Sequence, residues 1–300
     1  MTRVVFLLVP GVHLLDLAGP AQVFSSAADL VGGYALSYVG DTDTVLSHQG
    51  VPLGASTELP SLDVDDLVFV PGWRSPKIVG TGHLSDRALA WVRAHHDNGG
   101  TVASVCAGAD ALGRAGLLDG RRCTTHHELQ EELERRYPAA HVVHDVLFVE
   151  DNRVVTSAGI ASGIDLALHL VAVRHGPSVA AAIARTMVIY ARRNGDDHQA
   201  SVLLRHRSHI NETVHRIQDV IETRLTDRLS LAELAVHAGC SERTVTRLFG
   251  RATGMTPLKY QQALRVERAE HLIGQGATVE TAARNVGFED ARMLRRLRSR

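Results

Sequence analysis

Residues 4–9 (Val-Val-Phe-Leu-Leu-Val) form an unbroken β-branched and aliphatic run, and residues 66–70 and 101–105 have the same character. Runs of this length without alternation fit strands covered on both faces, as in a parallel sheet. Between them, residues 84–96 place Leu84, Ala88, Trp91 and Val92 at helical spacing, and Gly99-Gly100 ends that helix just before the next strand. Strand-like residues 34–39, 142–149 and 153–156, with helices near 17–30, 164–173 and 179–192, extend the alternation over roughly 190 residues, a normal domain size. The predicted class is α/β, with a domain spanning 1–192.

The pattern changes after a polar stretch at 192–201 with Gly195 in its middle. A linker over 193–211 is expected, followed by an all-α domain over 212–300 with no strand-like run. Ser230-Leu-Ala-Glu233 is a capping box that starts a helix with Leu231, Leu234 and Ala235 facing inward. Gly239 breaks that helix and Ser241 caps the next, whose apolar stripe is Val245, Leu248 and Phe249 and whose other side carries Arg243, Thr244 and Arg247. A short helix, a glycine turn and a basic second helix describe a helix-turn-helix. The pair Ala235 and Gly239 recurs 48 residues later as Ala283 and Gly287, and a second basic helix follows over 290–298. Pro257 opens a long amphipathic helix between the copies, with Leu258, Leu264, Val266, Leu272 and Ile273, a rigid spacer.

Charge sharpens this division. The whole chain has net charge −1, but residues 211–300 hold 15 Lys/Arg against 11 Asp/Glu, and residues 1–210 hold 17 against 22. Arg292, Arg295, Arg296, Arg298 and Arg300 focus the positive end. With aromatic residues at 4%, base stacking on single strands has few rings to work with. Three cysteines without CxxC spacing suit a reducing, cytoplasmic setting, and no run reaches the roughly 18 apolar residues a membrane helix needs. Seventeen histidines include no HExxH or comparable spacing, so neither a metal nor a cofactor is expected.

Candidate chemistry sits at Cys106, where the strand 101–105 turns into a helix through the small residues Ala107, Gly108 and Ala109, a nucleophile-elbow pattern. A thiol at a helix N-terminus faces backbone N–H groups, which is expected to lower its pKa. A buried, inert cysteine is the other reading of the same position.

The sequences "DLAGPAQVF" (16–24), "SVCAGA" (104–109), "GLLDGRRCTTHHEL" (116–129) and "VTSAGIASGIDLALHLV" (155–171) together resemble the PfpI-like, class I glutamine-amidotransferase-like superfamily. That resemblance implies a flavodoxin-like sandwich with Cys106 as the elbow residue, Asp16 as the acid near it and His126 as a pocket histidine. Asp16 alternatively reads as a carboxylate serving only the dipole of its own helix. Peptidase-like members place histidine after the cysteine and isocyanide-hydratase-like members a hydroxyl residue, whereas this chain has Ala107. "LSLAELAVHAGCSERTVTRLFGRATGMTPLKYQQALRVERAEHLI" followed by "TVETAARNVGFEDARMLRR" resembles the AraC-type double helix-turn-helix domain. By that resemblance Arg243, Thr244, Thr246 and Arg247 in the first unit, and Arg292, Arg295 and Arg296 in the second, are candidate DNA contacts on successive major-groove faces. The family pattern continues past the second basic helix with an aromatic-containing basic segment that is not found before Arg300, so a truncated, incompletely packed second unit is expected.

The two resemblances in this order are those of GlxA-type AraC regulators. They imply a homodimeric transcriptional regulator of double-stranded DNA that senses a small metabolite in the α/β domain and is not an enzyme. Two further readings of the pocket stand beside it: a cysteine-dependent hydratase or amidase, and a thiol redox sensor, both using Cys106.

Overall fold

A computed structural model describes all residues except 75–83, 190–192, 198, 200, 201, 203–205, 208, 275, 299 and 300. The chain divides into two compact units, Met1–Gln199 and Ala200–Arg300.

In the first unit the elements run β1 (Thr2–Leu8), α1 (Leu14–Val31), β2 (Tyr34–Gly40), β3 (Thr44–Leu46), β4 (Pro52–Gly54), β5 (Leu67–Val70), α2 (Asp86–Asp97) and β6 (Thr101–Val105). They continue as α3 (Ala109–Arg114), β7 (Arg122–Cys123), α4 (Gln130–Arg136), β8 (His141–Val142), β9 (Phe148–Asp151), β10 (Val154–Ser157), α5 (Ser162–His175) and α6 (Pro177–Thr186). The main sheet has the order β2-β1-β5-β6-β10-β9, parallel throughout except for β9 against β10.

The unbroken apolar runs are explained by burial on both faces. Val4, Phe6 and Leu8 join one core with Phe24, Leu166 and Ile183, while Val5, Leu7 and Val9 join another with Val92, Leu112 and Leu133. The chain leaves β1 toward β2 on one side and returns to β5 on the other, so a crevice is expected at the carboxyl ends of the inner strands. The run read as one strand over 142–149 is broken: only His141–Val142 and Phe148–Asp151 are extended, and Asp145 between them takes φ 53°. The helix expected over 179–192 ends at Thr186, with Val188 at φ 55°; residues 190–192 lie outside the described residues.

The second unit contains α7 (Glu212–Thr223), α8 (Leu231–Ala238), α9 (Glu242–Thr253), α10 (Pro257–Gly274), α11 (Val279–Asn285) and α12 (Ala291–Arg298). The capping box forms as read: Ser230 Oγ accepts the Glu233 N–H at 3.2 Å and Glu233 Oε2 accepts the Ser230 N–H at 2.8 Å. Both repeat glycines take the left-handed backbone the turns require, Gly239 at φ 65° and Gly287 at φ 85°. Two separate cores result. Val214, Ile217, Leu234, Val245, Phe249, Tyr260 and Leu264 fill the first, and Ala269, Ala282, Ala283, Val286, Phe288 and Leu294 the second. The spacer α10 contributes to both, but Leu258, read as part of its buried stripe, is 60% exposed because it lies on the helix face opposite the fully buried Tyr260. Among the described residues no helix is long and apolar enough to cross a membrane.

Candidate functional site

Cys106 follows β6 directly and adopts φ 55°, a conformation disfavoured for a residue with a side chain and retained here because the surroundings are built around it. Three glycines make the room. A Cβ on Gly72 would lie 2.7 Å from the Cys106 Cβ, one on Gly159 would lie 2.5 Å from it, and one on Gly108 would lie 2.1 Å from the Val70 carbonyl oxygen. These residues follow β5, β10 and β6, so the elbow is set among three adjacent parallel strand ends.

Asp16 arrives from the first turn of α1 and is 1% exposed. Its Oδ1 accepts the Ile160 N–H at 2.7 Å, while Oδ2 faces the Cys106 thiol and the Gly72 backbone. Serving the dipole of its own helix is therefore not its main occupation. Burial raises its pKa to about 6, against the opposing pull of the Ile160 N–H bond and of the nearby Cys106 thiol and Gly72 backbone. The same enclosure overturns the expected thiolate. Burial first, then the adjacent Asp16 carboxylate, push the Cys106 thiol far above its ordinary range, and the Ala107 N–H offsets only part of this.

The cleft of about 70 Å³ in front of the pair is lined by His13, Asp16, Trp73, Arg74, Cys106, His126, Glu128, Leu129 and Ile160. The structure thus brings the three predicted pocket residues together and adds His13, Trp73 and Arg74, which sequence reasoning missed. Their signal was positional: His13 lies just after β1, and Trp73 and Arg74 just after β5, at strand ends facing the crevice. His126 is half-buried and its imidazole is held below the usual range by burial and by His127, whose ring centroid is 4.2 Å away. His13 is lowered by burial, His48 and Arg74. A neutral thiol beside a carboxyl group that is itself partly protonated near pH 6, with Ala107 supplying no hydroxyl, is suited to hydrogen bonding more than to nucleophilic attack.

The loop below the pocket is tied to the chain that leaves the unit. Thr125 Oγ1 donates to the Cys106 carbonyl at 2.7 Å, and the Thr125 carbonyl accepts from Gln199 Nε2 at 2.9 Å and Gln130 Nε2 at 3.2 Å. Arg193 forks onto buried Asp165 at 2.6 and 3.0 Å, and the Gly195 carbonyl accepts the Leu147 N–H at 2.8 Å. Arg193, Gly195, Asp197 and Gln199, within the stretch expected to be linker, are hydrogen-bonded to the rest of the α/β unit.

On α9, Ser241 Oγ accepts the Thr244 N–H at 3.3 Å and Thr246 Oγ1 donates to the Glu242 carbonyl at 3.0 Å. Arg243 and Arg247 are exposed and make no ion pair among the described residues. The arginines of α12 differ. Arg292 is held by Asp290 at 2.6 Å, Arg295 by Glu280, and Arg298 by Glu270 at 3.3 Å, while Arg296 contacts Met293. Arg300 lies outside the described residues.

The DJ-1/PfpI family model matches residues 2–173, and a helix-turn-helix domain model matches residues 234–300. The chain is 31% identical to the HTH-type transcriptional regulator CdhR of Pseudomonas aeruginosa over 274 residues, 90% of this chain and 80% of that protein. It is 36% identical to the isonitrile hydratase of Pseudomonas putida over 170 residues, 55% of this chain and 68% of the hydratase. The crystal structure of an AraC family transcriptional regulator from Pseudomonas putida superposes with TM-score 0.54 at 25% identity, covering 62% of this chain and all of that one. The chain therefore belongs to the DJ-1/PfpI family, in the form in which that domain is joined to an AraC-type helix-turn-helix domain.

Proposed function

We propose that this transcriptional regulator reads duplex DNA through α9 and α12 and is controlled by a small metabolite held against Asp16, Cys106 and His126. The observation that carries the DNA reading is the repeat itself: two glycine-turned helix pairs, 48 residues apart, each presenting a basic helix, with Arg243 and Arg247 exposed and making no ion pair among the described residues. Arginine's planar fork suits guanine O6 and N7 and also clamps phosphate. Arg243, Thr244, Thr246 and Arg247 are assigned to one groove face, and Arg292, Arg295 and Arg296 to the next.

The cleft admits a ligand of only a few non-hydrogen atoms that can exchange hydrogen bonds with a carboxyl group and a thiol. Arg74, His13 and His126 at its rim favour a polar or anionic group on the outward end. Occupancy changes DNA binding only as far as the ligand prefers one state of the protein over the other. A homodimer working in the cytoplasm completes the reading.

Selection of bound sequences from a random duplex pool tests it. A motif with base preferences on two adjacent turns, bound with a steep loss of affinity as salt rises, is expected; uniform weak binding to all duplexes would overturn it. The enzyme reading draws on the hydratase likeness, which covers 170 residues, 55% of this chain. Turnover of an isocyanide or nitrile that disappears in Cys106→Ser would restore it, while metabolite-dependent DNA binding that survives the same substitution supports a non-covalent sensor.

A further inference from the structure

The two helix-turn-helix units have separate cores joined along α10, and a helix alone is a poor ruler of angle because long helices bend. A second connection lies beside it. Arg265, midway along α10, donates from Nε to the Leu225 carbonyl at 2.8 Å and from Nη2 to the Asp227 carbonyl at 2.8 Å, both in the turn before the first unit's α8. Its remaining nitrogen, Nη1, donates to the Gly287 carbonyl at 2.7 Å, in the turn of the second unit. Gln261, one helical turn earlier, donates to the same Leu225 and Asp227 carbonyls at 3.1 and 2.9 Å. The guanidinium also lies 5.7 Å from the centre of the Phe288 ring in the second core.

The seam is closed as tightly as the backbone allows. A Cβ on Gly287 would lie 2.4 Å from the Thr226 carbonyl oxygen, so the turn of the second helix-turn-helix rests directly on the backbone of the first helix-turn-helix. Arg228 and Glu289 span the same seam at 3.9 Å, but both are exposed and that pair contributes little. A planar five-donor fork can satisfy three carbonyls at fixed mutual angles, which an ammonium on a flexible stem cannot do.

We propose that Arg265 is a positioning residue that sets the tilt between the two units and thereby the base-pair spacing the protein accepts between the two groove segments it reads. The leverage is large: at a separation of roughly 34 Å, a hinge of about 10° displaces one recognition helix by about 6 Å, nearly two base-pair steps. The proposal rests on the two-segment reading of DNA given above.

The test uses the full chain and the duplex that the unsubstituted protein selects from a random pool, together with versions carrying one added or removed base pair between the segments and a version keeping only the first segment. The unsubstituted protein is expected to lose roughly tenfold or more in affinity when the spacing changes. Arg265→Met, which keeps the apolar stem, is expected to bind the first-segment duplex as before while its discrimination against altered spacing falls to about threefold or less. Arg265→Lys, able to reach one carbonyl at a time, should fall between them, and it decides the matter if the methionine variant does not fold by thermal unfolding. Undiminished spacing preference in a folded Arg265→Met, or in Arg265→Lys where that variant is the one that folds, overturns the role of Arg265. So does an equal loss on one-segment and two-segment duplexes, which is what mere damage to the fold produces. If the unsubstituted protein selects only one segment, the two-segment reading fails and this role fails with it.

Discussion

At the residue scale, the Asp16 carboxyl has a direct consequence for stability. Its folded pKa of about 6 lies above the ordinary aspartate value of 3.8, so the folded state holds the proton more tightly than the unfolded chain. Its contribution is fully favourable below about pH 4 and is lost as pH rises through 6, a swing of about 3 kcal/mol for two pKa units. Asp16→Asn, which keeps an acceptor for the Ile160 N–H, is expected to raise the thermal midpoint at pH 8 and to leave it nearly unchanged at pH 4, as scanning calorimetry across that range would record. The same substitution removes a neighbouring negative charge from Cys106, so alkylation of that thiol at pH 8 should speed up; a rate equal to that of the unsubstituted protein would place the whole effect in burial. Sequence alone could place Cys106 at a corner because Ala107, Gly108 and Ala109 follow a strand, yet it left open whether the thiol is activated or buried and inert. A helix N-terminus was visible in the residue order, whereas the walls contributed by Gly72, Gly159 and Asp16 come from positions up to 90 residues away.

At the element scale, the second unit was the more legible half. Its determinants are local: Ser230 and Glu233 start α8, Gly239 ends it, and the apolar stripe of α9 follows the helical repeat. Ser230→Ala is expected to cost about 1 kcal/mol in denaturant unfolding, the usual loss for an N-cap hydroxyl. The α/β unit was readable where strands are buried on both faces and unreadable where they are short. The hairpin of β3 and β4, three residues each, carries too little alternation to register, and the break between β8 and β9 depends on Asp145 taking a left-handed backbone. The committed arginines of α12 were also hidden, because their partners Glu280 and Glu270 belong to other helices. Binding DNA with Arg295 requires breaking its pair with Glu280. Glu280→Gln is therefore expected to tighten binding to the selected duplex several-fold at low salt, while Arg247→Ala should weaken it roughly tenfold; titrations by fluorescence anisotropy would read both, and an unchanged affinity in Glu280→Gln would remove Arg295 from the interface.

At the scale of the whole molecule, what matters is how the α/β unit hands the chain on. Asp165 is 3% exposed and Arg193 is its counter-ion, so Arg193→Ala leaves a carboxylate buried without its partner. With Arg193 itself about one-third exposed, a loss of about 2 kcal/mol is the reasonable scale. Amide hydrogen exchange should show residues 193–197 protected in the unsubstituted protein and released in the variant. Beyond that anchor lies Gln199, and there the arrangement has a further meaning. One backbone oxygen, that of Thr125, is claimed by two glutamine amides, that of Gln130 at the start of α4 and that of Gln199, the last residue before the helical half. An oxygen with two lone pairs can tolerate both suitors only while the backbone around it keeps its present pitch. His126, the very next residue, lines the cleft, so any shift of it would turn that carbonyl and weaken one of the two bonds, and the cleft and the outgoing chain share an acceptor one residue apart.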